Sequence, residues 1–141
     1  MNAGAARVIA LGHACLDHRF WVERFPPAGA RTRAGAYRSD LGGLGAVGAL
    51  AVARLGGGAV LFGRRGDDDA GQRIEAALAA EGVETQAFRA FAGARTPVSG
   101  IFIAPDGERH IFAYHGEGLP DGAEWLPVHA LHTAQAVLLD A

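Results

Sequence analysis

Residues 40–58, DLGGLGAVGALAVARLGGG, constrain what this chain can fold into more than any other stretch. They open on Gly42 and Gly43, pass into a run of small and aliphatic residues, and stop on Gly56, Gly57 and Gly58. Paired glycines have no Cβ, so the backbone can take positive φ and another group can come close. From Ala46 to Leu55 a single arginine interrupts an otherwise apolar run, which predicts a helix buried on nearly every face. Ala46, Ala49, Ala53, Gly45 and Gly48 are small enough to let a sheet pack against it closely. The triple glycine ends the helix as a C-cap. The start of a buried helix leaves N–H groups facing inward, where a polar or anionic ligand is stabilised.

Gly43, Gly45 and Gly48 also spell G-x-G-x-x-G. That spacing marks a dinucleotide site only when an apolar strand runs straight into it. Residues 36–41, AYRSDL, are mixed and polar, and the first apolar strand lies far upstream at residues 8–11. A dinucleotide-binding oxidoreductase fragment therefore ranks third among the readings, and it requires Gly43 at the end of a central strand. A glycine- and alanine-rich helix packed on a sheet without any ligand is the plain alternative.

A chain of 141 residues suffices for one domain with a real core. Half of it is apolar and a fifth charged, which reads as soluble and globular. The net charge of −2 makes no case for nucleic acid or an anionic membrane surface. Cys15 is the one cysteine, so no disulfide framework or cysteine-based zinc site exists, and a cytoplasmic location is expected. No apolar run reaches transmembrane length.

Residues 7–11 read as a buried strand, followed by residues 13–17 as a strand-end loop or continuation. Ligands sit at the carboxyl ends of strands in open α/β sheets, which places Asp17 well for a site; a turn or capping carboxylate is the alternative. Residues 19–25 and 31–39 read as strands, the second an exposed edge. Residues 59–63 form a buried strand, 64–71 a loop, and 72–81 an amphipathic helix stopped by Gly82. Asp67, Asp68 and Asp69 are read as a helix cap in preference to a metal cluster. The histidines, His129 and His132 included, are read as ordinary polar residues rather than metal ligands. This βαβα run argues for a parallel sheet.

Residues 98–104 and 109–114 flank Pro105-Asp106-Gly107-Glu108, a hairpin signal. Hairpins do not belong in the middle of a parallel sheet. The hairpin and the strands near 19–39 therefore predict a small second sheet that projects as a lid. Residues 136–140 read as one more buried strand.

This order of parts resembles the N-terminal half of the ribokinase-like (PfkB) carbohydrate kinases. The residues that carry the resemblance are 12–17 after the first strand, Phe25-Pro26 with Gly29, and Gly42-Gly43 with the helix ending Ala53-Arg54-Leu55-Gly56. Residues 63–68 with Gly71, Gly82-Val83, Arg95-Thr96-Pro97 and Asp106-Gly107-Glu108-Arg109 complete the set. Residues 107–109 and 121–126 look similar to the sulfofructose kinase branch.

The resemblance implies an α/β fold: a ribokinase-like parallel sheet with flanking helices plus a small β-sheet lid. Residues 1–141 would be its N-terminal portion, with lid strands near 19–39 and 85–114 and the nucleotide-binding half absent. It implies sugar contacts from Asp17, from Gly42, Gly43 and Leu44 at the double-glycine turn, from Val47, and from lid positions Ser99 and Ile101. Many members carry Asn where Val47 stands, and valine cannot make that hydrogen bond. ATP and Mg²⁺ are implied for the intact enzyme, with neither expected to bind this chain alone. No Gly-Ala-Gly-Asp, the family's catalytic-base motif, occurs in these residues.

The expectation is thus the sugar-recognition half of an ATP-dependent carbohydrate kinase, inactive as a fragment. A non-catalytic sugar-binding or lid-mediated dimerisation module is the alternative. The expected partners are a small sugar and a second copy paired through the lid, with no nucleic acid and no membrane. An exposed apolar sheet edge or face, with oligomerisation or poor solubility, is expected as well.

Overall fold

The computed structural model describes residues 7–140. The elements in chain order are β1 (Arg7–Leu11), β2 (Cys15–Trp21), β3 (Ala36–Gly42), α1 (Leu44–Arg54), β4 (Gly58–Gly66), α2 (Asp69–Ala80), β5 (Phe88–Phe91), β6 (Val98–Ile103), β7 (Arg109–Tyr114), α3 (Val128–Leu131) and β8 (Ala136–Leu139). They form two four-stranded sheets, ordered β5-β4-β1-β8 and β3-β2-β6-β7. Every pairing in the first sheet is parallel. The second is mixed: β2 runs parallel to β6, while β3 and β7 are antiparallel to their neighbours. The α/β sheet and the lid expected from the sequence are both present.

Alternation along β1 and β4 divides the core between the two faces of the parallel sheet. Ala10, Ala59 and Leu61 face the side covered by α1 and α2, where they pack with Ala46, Ala49, Ile74 and Leu78. Ile9, Val60 and Phe62 face the other side, covered by Leu126, Ala130 and Leu131. Strands buried on both faces read as continuous apolar runs, and VIAL and AVLF do so here. Both long helices end in Schellman caps. In α1, Gly56 N–H bonds Ala53 O and Gly57 N–H bonds Val52 O, with Gly56 at φ 85°. In α2, Gly82 and Val83 repeat the arrangement on Ala79 and Leu78.

Several expectations need correction. β2 begins at Cys15 rather than near residue 19, because Leu16 N–H already bonds Pro97 O across to the β6 side. Asp17 therefore sits on a lid strand and not in a strand-end loop. β3 starts five residues later than the expected strand. β4 runs through Arg64 and Arg65 to Gly66 instead of stopping at Gly63. Burial of Arg65 is compensated there by an ion pair with Glu75 and by the Phe88 ring, 5.8 Å from its guanidinium carbon. β5 joins the parallel sheet, so the lid's later strands are β6 and β7 alone.

Helix α1 is not buried all round. Gly45, Ala46 and Ala49 face the sheet, whereas Leu44 is 74% and Val47 44% exposed. Only one stripe of a helix can touch one sheet, and the small residues take that stripe. The dinucleotide reading fails on topology, because Gly43 follows β3, the edge strand of the lid, and not a strand of the parallel sheet.

The acidic run at 67–69 is structural. Asp68 is the N-cap of α2 and its Oδ1 accepts the Gly71 N–H at 2.9 Å. It also accepts Thr96 Oγ1–H at 2.5 Å and Thr96 N–H at 2.9 Å, which ties α2 to the segment entering β6. Burial alone pushes the Asp68 carboxyl upward. The bonds from Thr96 and Gly71, with the charge of Arg95, outweigh it and hold the carboxyl below its ordinary value. A depressed folded value means that the stabilisation is present above the unfolded carboxyl's range, near pH 4, and is lost as pH falls through the folded value. Asp68→Ala is expected to cost roughly 2–4 kcal/mol at neutral pH, the sum of a cap and two further bonds. Urea unfolding at pH 7 and pH 3 checks both statements: the difference between variant and parent shrinks in acid, and a difference constant with pH contradicts the assignment.

Candidate sugar site

The two sheets meet at an open cleft of about 770 Å³. One wall is the inner face of the lid, where alternation presents Cys15, Asp17 and Arg19 from β2 and Ser99 and Ile101 from β6. Register sets Asp17 beside Ser99 and Arg19 beside Ile101. The opposite wall comes from the ends of β1, β4 and β8, through His13, Arg64 and Asp140. The floor is the double-glycine turn and the first turn of α1, with Gly42, Gly43, Leu44 and Val47. All seven residues singled out in the sequence thus line one cleft, although they come from three separate stretches of chain.

Asp17 is the central polar group, with its side chain 13% exposed. Its Oδ1 accepts Cys15 Sγ–H at 3.3 Å, and Oδ2 lies 3.9 Å from an Arg19 guanidinium nitrogen. Arg19 also reaches Asp40 at 3.6 Å. Gly42 is what allows Asp17 this position, because a Cβ there would fall 2.4 Å from Oδ2. Gly43 is required twice over: φ is 89°, and a Cβ would fall 2.5 Å from His13 O. That same His13 carbonyl accepts the Ala46 N–H at 3.2 Å. No side chain caps α1.

Burial, then the hydrogen bond to Asp17 and its negative charge, push the Cys15 thiol up to about 12. Cys15 is therefore a fixed donor to Asp17 and not a nucleophile. His13 is held below its ordinary value chiefly by burial. His115 and Arg64 add to that shift, while Asp140 and Asp17 oppose it. Among the described residues no three His, Cys, Asp or Glu side chains converge as a metal set. Val47 offers the cleft a methyl surface and no hydrogen bond.

Six polar or aromatic cleft residues escaped the sequence reading: His13, Arg19, Arg64, His115, Trp125 and Asp140. Arg64 and Asp140 carried a usable signal, since each lies at or near the carboxyl end of a parallel strand, the same rule that drew attention to Asp17. His115 and Trp125 come from irregular segments and carried none.

The pattern of the pfkB family carbohydrate kinases matches residues 5–141. The chain belongs to that family. Among its relatives, fructokinase-1 of rice (Oryza sativa subsp. japonica) is 40% identical over 89 residues, covering 63% of this chain and 26% of the relative. Fructokinase-1 of Zea mays is 35% identical over 117 residues, 81% of this chain and 34% of the relative. This chain thus spans about a quarter to a third of the length of these two relatives. The solved structure of Arabidopsis thaliana ribokinase complexed with ribose and ATP superposes with a TM-score of 0.79 at 26% identity, over 96% of this chain and 45% of that one. Two sheets meeting at a cleft are thus the ribokinase-like architecture, and the chain is a sugar kinase family member by both sequence and fold. No helix among the described residues is long and apolar enough to cross a membrane.

The thiol assignment has a direct consequence. At pH 8.5 the folded chain should react with iodoacetamide roughly 10³-fold more slowly than the urea-unfolded chain, the ratio of thiolate fractions expected for a thiol raised this far. Mass spectrometry of the quenched time course reads it, and comparable rates in the two states contradict the Cys15–Asp17 arrangement.

Proposed function

We propose that these residues are the sugar-recognition portion of an ATP-dependent carbohydrate kinase that phosphorylates a sugar hydroxyl. The observation that supports this most is the placement of Asp17. A nearly buried carboxylate, braced by Cys15 and Arg19, faces a cleft floored by Gly42 and Gly43. Buried sugar hydroxyls each need a partner, and an oriented carboxylate accepts from two of them. Ser99 adds a hydroxyl beside it, Gly43 and Leu44 bring backbone groups, and Ile101 and Val47 supply apolar cover. The lid wall would close over the sugar and exclude water. Ketoses and aldoses of five or six carbons are the substrate class, in keeping with the fructokinase and ribokinase relatives. The resemblance to the sulfofructose kinase branch touches this cleft only through Trp125.

Residues 1–141 form, on this reading, the N-terminal portion of a ribokinase-like domain. Phosphoryl transfer depends on positioning and on stabilising spread negative charge. The described residues do not fit ATP and Mg²⁺: among them no three His, Cys, Asp or Glu side chains converge as a metal set, Asp68 is used as a cap, and no Gly-Ala-Gly-Asp occurs in the sequence. On this reading ATP and Mg²⁺ serve the intact family enzyme, and neither is expected to bind these residues alone. β8 has one unpaired edge among the described residues and leaves Val137, Leu138 and Leu139 exposed. A continuing sheet would cover such a surface. A reducing cytoplasm suits the single unpaired thiol.

Titration calorimetry of the chain with fructose and ribose tests the reading. One of them is expected to bind in the millimolar range or tighter, and Asp17→Asn to weaken it about tenfold or more. Equal affinity in parent and variant removes Asp17 from the site. Heat from ATP-Mg²⁺ contradicts the division of labour.

A second reading, self-association through the lid, is favoured by the lid's outer face. Tyr37, Phe20, Phe102 and Phe112 run across it with ring centroids 5.0, 5.2 and 5.9 Å apart. Phe112 is 68% and Tyr37 53% exposed. An aromatic stripe this open suits the core of an interface between two copies. Sedimentation is expected to show a dimer that Phe112→Glu returns to monomer. A monodisperse monomer of the parent chain sinks the idea.

A further inference from the structure

Besides the Cys15 thiol, six ionisable side chains face the cleft: Asp17, Arg19, His13, His115, Arg64 and Asp140. Part of this charge is already engaged, and Asp140 also acts on the His13 ring through its charge. Arg19 lies between Asp17 and Asp40, and Asp140 Oδ2 accepts the His13 backbone N–H at 3.1 Å. Arg64 differs. None of the ion pairs found among the described residues includes it, although its neighbour Arg65 has Glu75. Its guanidinium donates to Pro120 O and lies 5.8 Å over the Trp125 ring, so it is held in place on two sides. The rings of His13 and His115, 6.4 Å apart, lie close enough for Arg64 to act on His13 through its charge.

A half-buried guanidinium fixed by a carbonyl and an indole, with no carboxylate of its own, is arranged for an external anion. Two imidazoles beside it can serve as further donors. A neutral sugar gives this corner no counter-charge. We propose that Arg64, His13 and His115 form an anion subsite, and that the sugar this cleft takes carries a phosphate-like oxyanion substituent. The inference rests on the sugar reading above and narrows its substrate class. Asp17 at one end selects hydroxyls, and Arg64 at the other selects charge.

The test is calorimetry on the full chain with four probes: fructose, fructose 1-phosphate, fructose 6-phosphate and inorganic phosphate. At least one sugar phosphate should bind about tenfold or more tightly than fructose, and more tightly than inorganic phosphate. Arg64→Gln should bring that preference close to one. His115→Gln, at an exposed position where folding is not at stake, should reduce the preference in part. Circular dichroism of each variant confirms that it is folded. Fructose binding that Asp17→Asn abolishes, without any gain from phosphate, overturns the anion subsite and leaves the sugar reading standing. A preference that survives both substitutions overturns it equally. Inorganic phosphate binding as tightly as the sugar phosphates means that the corner holds a free oxyanion and not a sugar substituent. Binding of none of the four overturns both readings together.

Discussion

Everything in this structure hangs on the contact between two short backbone segments, residues 12–14 and 42–46. They pass so closely that a Cβ at Gly43 or Gly45 would fall 2.5–2.7 Å from the backbone of His13 or Gly12. One hydrogen bond, Ala46 N–H to His13 O, crosses between them. The first segment leaves the parallel sheet and enters the lid within three residues. The second leaves the lid and enters the helix that covers the parallel sheet. Two sheets with different strand directions are thereby joined at this crossing, as they are again where Asp68 holds Thr96 at the entry to β6, and the cleft is the space left between them. Small residues there serve geometry first. The same lack of side chains lets Asp17 stand beside Gly42 at the cleft.

That crossing also explains which parts of the molecule were legible in the sequence. The double glycine, the triple-glycine stop and the Asp-Gly turn state local backbone geometry directly, so the helix, its end and the hairpin could be read. Strand limits were harder. The β2 segment CLDHRFW has no strict alternation, since Asp17 and Arg19 face the cleft where apolar residues would ordinarily mark an inner face. A functional face breaks the pattern that locates strands. The over-buried reading of α1 has a similar origin. Leu44 and Val47 are apolar but turn toward the cleft and solvent, and composition does not say which side of an apolar helix meets the sheet.

The charged wall of the cleft was less legible still. Arg64 stands beside Arg65 in the sequence, and nothing local separates them. Successive residues of a strand point to opposite faces, so one goes inward to Glu75 and the other to the cleft. His115 reaches His13 across about a hundred residues of chain, a proximity fixed by how the hairpin folds back and by no motif.

Lid and parallel sheet therefore contribute different chemistry to the same space. The lid side brings a carboxylate, a hydroxyl and a thiol donor, groups that exchange hydrogen bonds with a polyol at little electrostatic cost. The parallel-sheet side brings an arginine held by a carbonyl and an aromatic ring. Desolvating that guanidinium costs free energy unless an anion meets it. Under the proposed function, closure of the lid would remove water from both sides at once, and each interaction would strengthen as the local dielectric falls. On the proposals above, recognition of hydroxyls and recognition of charge would then be coupled through one movement, and a ligand that satisfies only one side would draw the lid shut less completely than a ligand that satisfies both.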